Sequence, residues 1–342
     1  MRTTALTTLY WTLAALGLLA VAVTDVDLVG TGETALGQSL AGLLPEPVFL
    51  VLAGVLSLVL AATAALTAPA RRTGRGSALP PAAGGPAAAA LVLLVVSVDL
   101  LGLIGYLPLA VAMAPFDESM REALGTVLEP GIVSQVVVLL GVLLWGRAVQ
   151  LYLRHHPVRL PRWARPAAAA RWGRTAVVVA VVPPLTYAVT RFAWLVYPLG
   201  FDREAWEAAH RTSTVVPGVW LGSFAVVGAF LTLGLTRRWG EVFPRWVPRL
   251  GGRRVPVSLA VVPASFVALL LVPAGISMIR QVLGPDAAFD PVADWAAYGP
   301  TFLWPLWGVA LGVATLGYAL RRREERPATP EVRAGSDVGP RL

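Results

Sequence analysis

The chain has 342 residues, of which 56% are hydrophobic and only 14% are charged, and its formal net charge is +8. A soluble domain carries about 25% charged residues, whereas the apolar residues here form blocks near the ~20 residues needed to cross a bilayer. The composition therefore indicates a membrane protein. It does not favour nucleic-acid binding, because the positive charge lies in short loops between the apolar blocks.

Eight apolar blocks follow one another along the chain, and each is expected to be helical because backbone groups find no water partners in lipid. The predicted class is an all-α, polytopic membrane protein with about eight transmembrane helices. Arg2 and the string Ala20-Val21-Ala22 also fit a cleaved signal peptide, which would leave seven spans. The approximate bounds of the spans are 7–24, 47–69, 87–113, 131–152, 175–198, 215–236, 255–279 and 300–320.

The loops on the two sides of these spans differ in charge. The loops after the second, fourth and sixth spans, together with both termini, hold 22 of the 28 basic residues, all of them arginine. The four opposite loops hold 14 of the 20 acidic residues. We call these sides the arginine-rich side and the acidic side. Because arginine-rich loops stay in the cytoplasm, we expect both termini to be cytoplasmic.

The two halves of the chain share a pattern of prolines. Each half contains four spans, so both copies enter the membrane in the same direction, which predicts two parallel repeats related by an axis along the membrane normal. The predicted units are 1–170 and 171–320, followed by a disordered cytoplasmic tail at 321–342. A shift of 170 residues places Pro47 on Pro217, Pro86 on Pro256 and Pro130 on Pro300.

Two charged residues lie deep inside predicted spans. Asp99 is near the middle of the third span, where a carboxylate costs roughly 2.5–3.5 kcal/mol and is expected to face the protein interior. Arg191 of the fifth span lies about one helical turn closer to the acidic side. The two are predicted to pair if their helices are neighbours. Such a pair fits a buried structural contact, and it also fits a proton- or substrate-linked site in a polar cavity.

The loop between the sixth and seventh spans mixes aromatic and basic residues, among them Trp239, Arg245 and Trp246. Such residues suit the headgroup layer of a membrane. They are expected to anchor the loop at the interface, and they are also candidates for binding anionic lipid headgroups.

No metal site or cofactor is predicted. The chain has no cysteine, which excludes thiolate ligands and disulfides. Its three histidines lie on opposite sides of the membrane and cannot form one site. The acidic residues Asp25, Asp27, Glu33 and Glu46 match no calcium-loop spacing. Phosphate-binding-loop and zinc-protease motifs are also lacking.

Several strings resemble a group of multi-pass membrane proteins common in actinobacteria, and the similarity is best over about 185–323. The resemblance implies a polytopic fold and a plasma-membrane location, and it transfers no activity or site residue. The strings are Arg191-Phe192-Ala193-Trp194, the run from Trp239 to Trp246, Gly251-Gly252-Arg253-Arg254-Val255-Pro256, and Leu303-Trp304-Pro305-Leu306-Trp307-Gly308.

Three classes of function stay open on the sequence. Parallel repeats occur among transporters, which favours transport or the handling of a small hydrophobic ligand or lipid. A non-catalytic scaffold or accessory subunit is the second class. The third is a membrane-embedded enzyme acting on a lipid or isoprenoid, with Asp99 as an acid. The expected partners are membrane lipids and a small hydrophobic ligand, with no nucleic acid.

Overall fold

The structure is a computed structural model that describes residues 2–24, 39–67, 79–116, 118–125, 129–155, 161–200, 202–211, 215–284 and 292–322. Within these ranges the chain is α-helical and has no β-sheet, apart from one isolated bridge in a loop. The helices are α1 (Arg2–Thr24), α2 (Glu46–Leu66), α3 (Leu79–Val95), α4 (Val98–Met113), α5 (Glu118–Gly125), α6 (Pro130–His155), α7 (Pro166–Ala193), α8 (Arg203–Arg211), α9 (Val215–Gly234), α10 (Val257–Leu283), α11 (Trp295–Tyr298) and α12 (Trp304–Arg321).

Among the described residues, seven helical segments are long and apolar enough to cross a bilayer, and the bent pair α3–α4 makes an eighth if it counts as one span. The all-α, polytopic class is thereby confirmed. The large exposed side chains of these helices are apolar and recur every three or four residues, which suits contact with lipid. Examples are Leu6, Leu9, Leu13 and Leu16 of α1, and Leu306, Val309, Val313 and Leu316 of α12.

The third predicted span, 87–113, is broken into two helices. α3 ends at Val95 and α4 begins at Val98, and their axes differ in direction by 78°. At the junction Ser97 is extended, with φ −123° and ψ 178°, and its hydroxyl accepts a hydrogen bond from the backbone N–H of Asp99 at 3.3 Å. A serine placed this way caps the first turn of the following helix. The expectation of one continuous span is therefore wrong here.

A first bundle contains α1, α2, α3 and α6. Trp11 of α1 is 1% exposed, and its indole N–H donates to the carbonyl of Gly141 in α6 at 3.2 Å. Trp145 of α6 donates in turn to Thr63 Oγ1 of α2 at 3.0 Å. These contacts make α1 a packed member of the bundle.

A second bundle contains α7, α9, α10 and α12, with α12 packed between α7 and α10. Helices approach closely where both carry glycine, because no side chain separates their backbones. At the crossing of α7 with α12, a Cβ added to Gly317 would lie 3.0 Å from the Cα of Gly173. The core of this bundle is formed by residues such as Ala180, Leu271 and Ala314.

The helix α4 lies across the two bundles near their acidic side. Ser97, just before α4, bonds Gln135 of α6, and Trp220 of α9 donates to the carbonyl of Gly105 in α4 at 3.2 Å. Gln135 and Trp220 each lie five residues inside the acidic-side end of their helix, a depth of roughly 7.5 Å. These contacts, together with the 78° bend between α3 and α4, show that α4 crosses from the first bundle to the second.

The internal repeat and the domain limits stay predictions. Residue 170, where the first unit was expected to end, falls within α7, which begins at Pro166. Residues 323–342 of the expected disordered tail lie outside the described residues. Arg321 and Arg322, which were assigned to that tail, belong to the end of α12 and bond the rest of the protein.

Candidate functional site

A cluster of three polar residues occupies the break between α3 and α4. Gln135 Oε1 accepts a hydrogen bond from the backbone N–H of Ser97 at 2.9 Å, and Gln135 Nε2 donates to Ser97 Oγ at 3.1 Å. Ser97 Oγ lies 2.9 Å from Asp99 Oδ2, to which it donates. Ser97 and Gln135 are both fully buried. The side chains of the cluster therefore supply hydrogen-bond partners for the backbone N–H groups of Ser97 and Asp99, which lie at the helix break.

Asp99 is the accessible member of this cluster. Its side chain is only half-buried, whereas Ser97 and Gln135 are sealed inside the protein. One carboxylate oxygen, Oδ2, is bonded to Ser97, and Oδ1 has no hydrogen-bond partner among the described residues. Oδ1 is also not one of the fully enclosed atoms that lack a partner. Asp99 thus presents a free acceptor at the surface of the protein, close to the acidic side.

The network around Ser97 gives a direct test of its structural role. Replacing Ser97 with alanine removes the cap of α4 and leaves the buried amide of Gln135 without one partner, so we expect a loss of about 1–2 kcal/mol in the free energy of unfolding. The measurement is SDS titration of the purified protein in mixed micelles. The matched control is Ser223→Ala, because Ser223 is exposed and its hydroxyl donates only to Val219 within its own helix. Equal stability of the two variants would contradict this role.

Arg191 lies at the acidic-side end of α7 and is 7% exposed. Its guanidinium donates from Nη1 to the carbonyl of Ala296 at 3.0 Å and from Nη2 to that of Ala297 at 2.7 Å. The rings of Tyr187 and Trp194 lie 4.3 and 4.2 Å from its central carbon. These partners tie the end of α7 to the short helix α11, which leads into α12.

Asp99 and Arg191 do not form the predicted ion pair. Asp99 accepts from Ser97, Arg191 donates to backbone carbonyls, and neither bonds the other. The prediction assumed that both spans are straight and that their helices are neighbours, but the break at Ser97 turns α4 away from the direction of α3. The geometry separates their roles, since Arg191 is occupied by structural contacts and Asp99 is open.

The three candidates for headgroup binding lie in different surroundings. Trp239 is half-buried and stacks on Phe230, with ring centroids 4.7 Å apart and planes at 11°. Arg245 and Trp246 are exposed, and Trp246 keeps 81% of its surface. Arg245 and Trp246 are therefore the more exposed of the three candidates.

The end of α12 holds the base of this loop through contacts that sequence reasoning missed. Tyr318 Oη donates to the carbonyl of Gly240 at 2.8 Å, and Arg322 Nη2 donates to that of Val255 at 2.9 Å. Arg321 forms an ion pair with Glu241 at 3.4 Å. The sequence carries a signal for these contacts, since Tyr318 and Arg322 are four residues apart and share a helix face.

The chain shows no significant match to any protein-family model, any curated protein or any solved structure. The resemblance to actinobacterial membrane proteins therefore stays a prediction. Within the described residues, no group of three His, Asp or Glu side chains could hold a metal ion. The function has to be argued from the open carboxylate and its surroundings.

Proposed function

We propose that this integral membrane protein binds or transports a small hydrophobic ligand or lipid that carries a hydrogen-bond donor, with Asp99 as its polar contact. The observation that carries the proposal is the free Oδ1 of Asp99 at a break between two helices. Membrane proteins tolerate interrupted helices where the freed groups are buried in protein or face a cavity, and transporters place ligand sites at such breaks. A ligand with an ammonium or hydroxyl group would supply the missing partner.

The location of Asp99 favours a ligand that enters from the bilayer. The carboxylate lies at the start of α4, roughly 7.5 Å inside the acidic-side ends of α6 and α9. With the helix ends in the headgroup layer, that depth corresponds to the boundary between lipid headgroups and acyl chains. A lipid or amphiphile can there place its polar group on Asp99 while its chain contacts exposed apolar residues of α4, such as Ile104 and Leu107.

The proposal includes a plasma-membrane location with both termini in the cytoplasm. The arginine bias of the loops supports this orientation. It places Asp99 in the outer half of the bilayer, and it places the loop between α9 and α10 on the cytoplasmic side.

Binding of dioctanoyl-phosphatidylethanolamine to the purified full chain tests the proposal, because its ammonium group can donate to a carboxylate. We expect saturable binding in native mass spectrometry and a loss of tenfold or more for Asp99→Ala, since a charge-assisted hydrogen bond contributes about 1.5–3 kcal/mol. Asp99→Asn should bind with intermediate affinity, because it keeps an acceptor oxygen and loses the charge.

The matched control is Glu204→Ala, which removes an exposed carboxylate on the same side of the protein. Its affinity should equal that of the unmodified chain. Dioctanoyl-phosphatidylcholine, which has no N–H donor, should bind with no dependence on Asp99. If Asp99→Ala and Glu204→Ala bind the ethanolamine lipid equally well, Asp99 is not the polar contact.

A further inference from the structure

The loop between α9 and α10 folds into an ordered hairpin, which we call the arginine hairpin and define as residues 241–255. Its two arms are joined by backbone hydrogen bonds from Phe243 N–H to Arg253 O and from Val255 N–H to Glu241 O, both 2.9 Å long. Further turns close its tip, where Arg249 and Gly252 have φ of 62° and 77°. Backbone in this left-handed region is uncommon for a residue such as arginine, and its presence here indicates a defined loop conformation.

The tip of the arginine hairpin presents basic and apolar side chains together. Arg245, Arg249 and Arg253 are exposed, and their guanidinium groups have no partner within the described part of the chain. Trp246 is 81% exposed and Leu250 is 41% exposed. The acidic residue of the hairpin, Glu241, lies at its base and is paired with Arg321. The tip therefore carries uncompensated positive charge beside two large apolar side chains.

The base of the hairpin is fixed to the end of a membrane span. Tyr318 and Arg322 of the α12 terminus, 1% and 8% exposed, bond the carbonyls of Gly240 and Val255. These contacts hold the tip close to the bilayer surface, because α12 ends there. Little conformational entropy is then lost when the tip binds a ligand.

We propose that the arginine hairpin binds the headgroups of anionic phospholipids on the arginine-rich side of the membrane. The three free guanidinium groups match phosphate in charge and in hydrogen-bond geometry, and Trp246 and Leu250 insert beside them at the level where tryptophan is favoured. This site is separate from Asp99, which lies toward the opposite side. A soluble polyanion would explain the arginines but would leave Trp246 and Leu250 without apolar partners.

A fluorescent label on the tip of the arginine hairpin tests this proposal in the full chain. The sequence has no cysteine, so Pro248→Cys, an exposed tip position, can be labelled alone with an environment-sensitive dye. Titration with dioctanoyl-phosphatidylglycerol in detergent should give a saturable blue shift, and dioctanoyl-phosphatidylcholine should give none. Raising the salt from about 0.1 M to about 0.5 M should weaken the binding, because screening reduces the attraction.

Removal of the arginines should weaken this binding in proportion to the charge lost. We expect about a fivefold increase in the apparent dissociation constant for Arg245→Gln and about a hundredfold increase for Arg245→Gln, Arg249→Gln and Arg253→Gln together. The single variant keeps the proposal testable if the triple variant fails to fold.

The matched control removes three exposed arginines from the loop before α7 and from its first turns, on the same side of the membrane. Its affinity for the phosphatidylglycerol probe should stay within about twofold of the unmodified chain, because these arginines belong to a different segment and are not part of the proposed site. An equal loss of affinity in the control variant would mean that binding depends only on net charge, and it would overturn the proposal. Equal shifts with the phosphatidylcholine probe, or tighter binding of a single-stranded oligonucleotide, would overturn it as well. The control variant is Arg162→Gln, Arg165→Gln and Arg171→Gln.

Discussion

Replacing Arg191 with leucine is expected to lower the free energy of unfolding by about 2–5 kcal/mol, since each buried carbonyl left without its donor costs about 1–3 kcal/mol. The substitution removes the donors of Ala296 and Ala297 and the cation that lies between two aromatic rings. Leucine can fill part of the space but cannot donate a hydrogen bond. SDS titration in mixed micelles, followed by tryptophan fluorescence, measures the loss.

The chemistry of the guanidinium group makes Arg191→Lys informative. Lysine keeps the positive charge, but its compact ammonium group lacks the planar fork of donors that bonds the two carbonyls and the flat face that lies against Tyr187 and Trp194. We therefore expect Arg191→Lys to recover only part of the stability. Full recovery would mean that charge alone matters at this position.

The matched control is Arg203→Leu on the same side of the protein. Arg203 is 82% exposed, and its ion pair with Glu207 spans one turn of α8. Exposed pairs of this kind contribute little, so this variant should stay within about 0.5 kcal/mol of the unmodified chain. If Arg191→Leu lowered the free energy of unfolding as little as Arg203→Leu does, the contacts at the end of α7 would not be structural. The hypothesis that Arg191 binds a ligand would then be favoured again.

The class of fold could be predicted from the sequence because each span needs a run of apolar residues that hydropathy reveals directly. The shape of the third span could not be predicted this way. Proline commonly kinks or ends a helix, yet α10 continues through Pro263 and Pro273 while the break between α3 and α4 falls at Ser97. The signal was local, a serine followed two residues later by Asp99, and it resembles the start of a helix.

The roles of the charged residues needed the tertiary structure. Depth along the sequence placed Asp99 and Arg191 near each other, but the direction of α4 and the contacts of α11 decide their partners. Trp239, Arg245 and Trp246 are predicted from the same loop composition, but Trp239 is half-buried against Phe230 while Arg245 and Trp246 are exposed. A sequence lists candidate groups for a site, and packing determines which of them stay free.

The neighbours of the helices support the proposed duplication without deciding it. A shift of 170 residues maps α1, α2 and α6 onto α7, α9 and α12. The contacts of α1 with α2 and α6 then correspond to those of α7 with α9 and α12. The halves differ at the third span, which is broken in the first half and continuous in the second. That difference lies where α4 carries Asp99, so the proposed ligand site belongs to one half only.

Gly308→Ala is expected to lower the free energy of unfolding by an amount near the upper end of the ~1–3 kcal/mol typical of overpacking. Gly308 faces α10, and an added Cβ would lie 2.6 Å from Val272 Cγ2 and 2.9 Å from the backbone carbonyl oxygen of Ala268. A side chain could shift to make room, but the carbonyl belongs to a packed helix. The strain therefore has to separate α10 from α12.

Gly312→Ala, one turn further along α12, is the matched control for this strain. Its added Cβ would meet only the Cβ of Ala268 at 3.8 Å, an ordinary contact. Both substitutions gain the same preference of alanine for a helix interior, about 0.5–1 kcal/mol, so the difference between the two variants isolates the steric term. SDS titration should show Gly312→Ala as stable as the unmodified chain or slightly more stable. Two equally stable variants would mean that α10 and α12 do not approach this closely, because the helix preference of alanine is too small to offset contacts shorter than 3 Å.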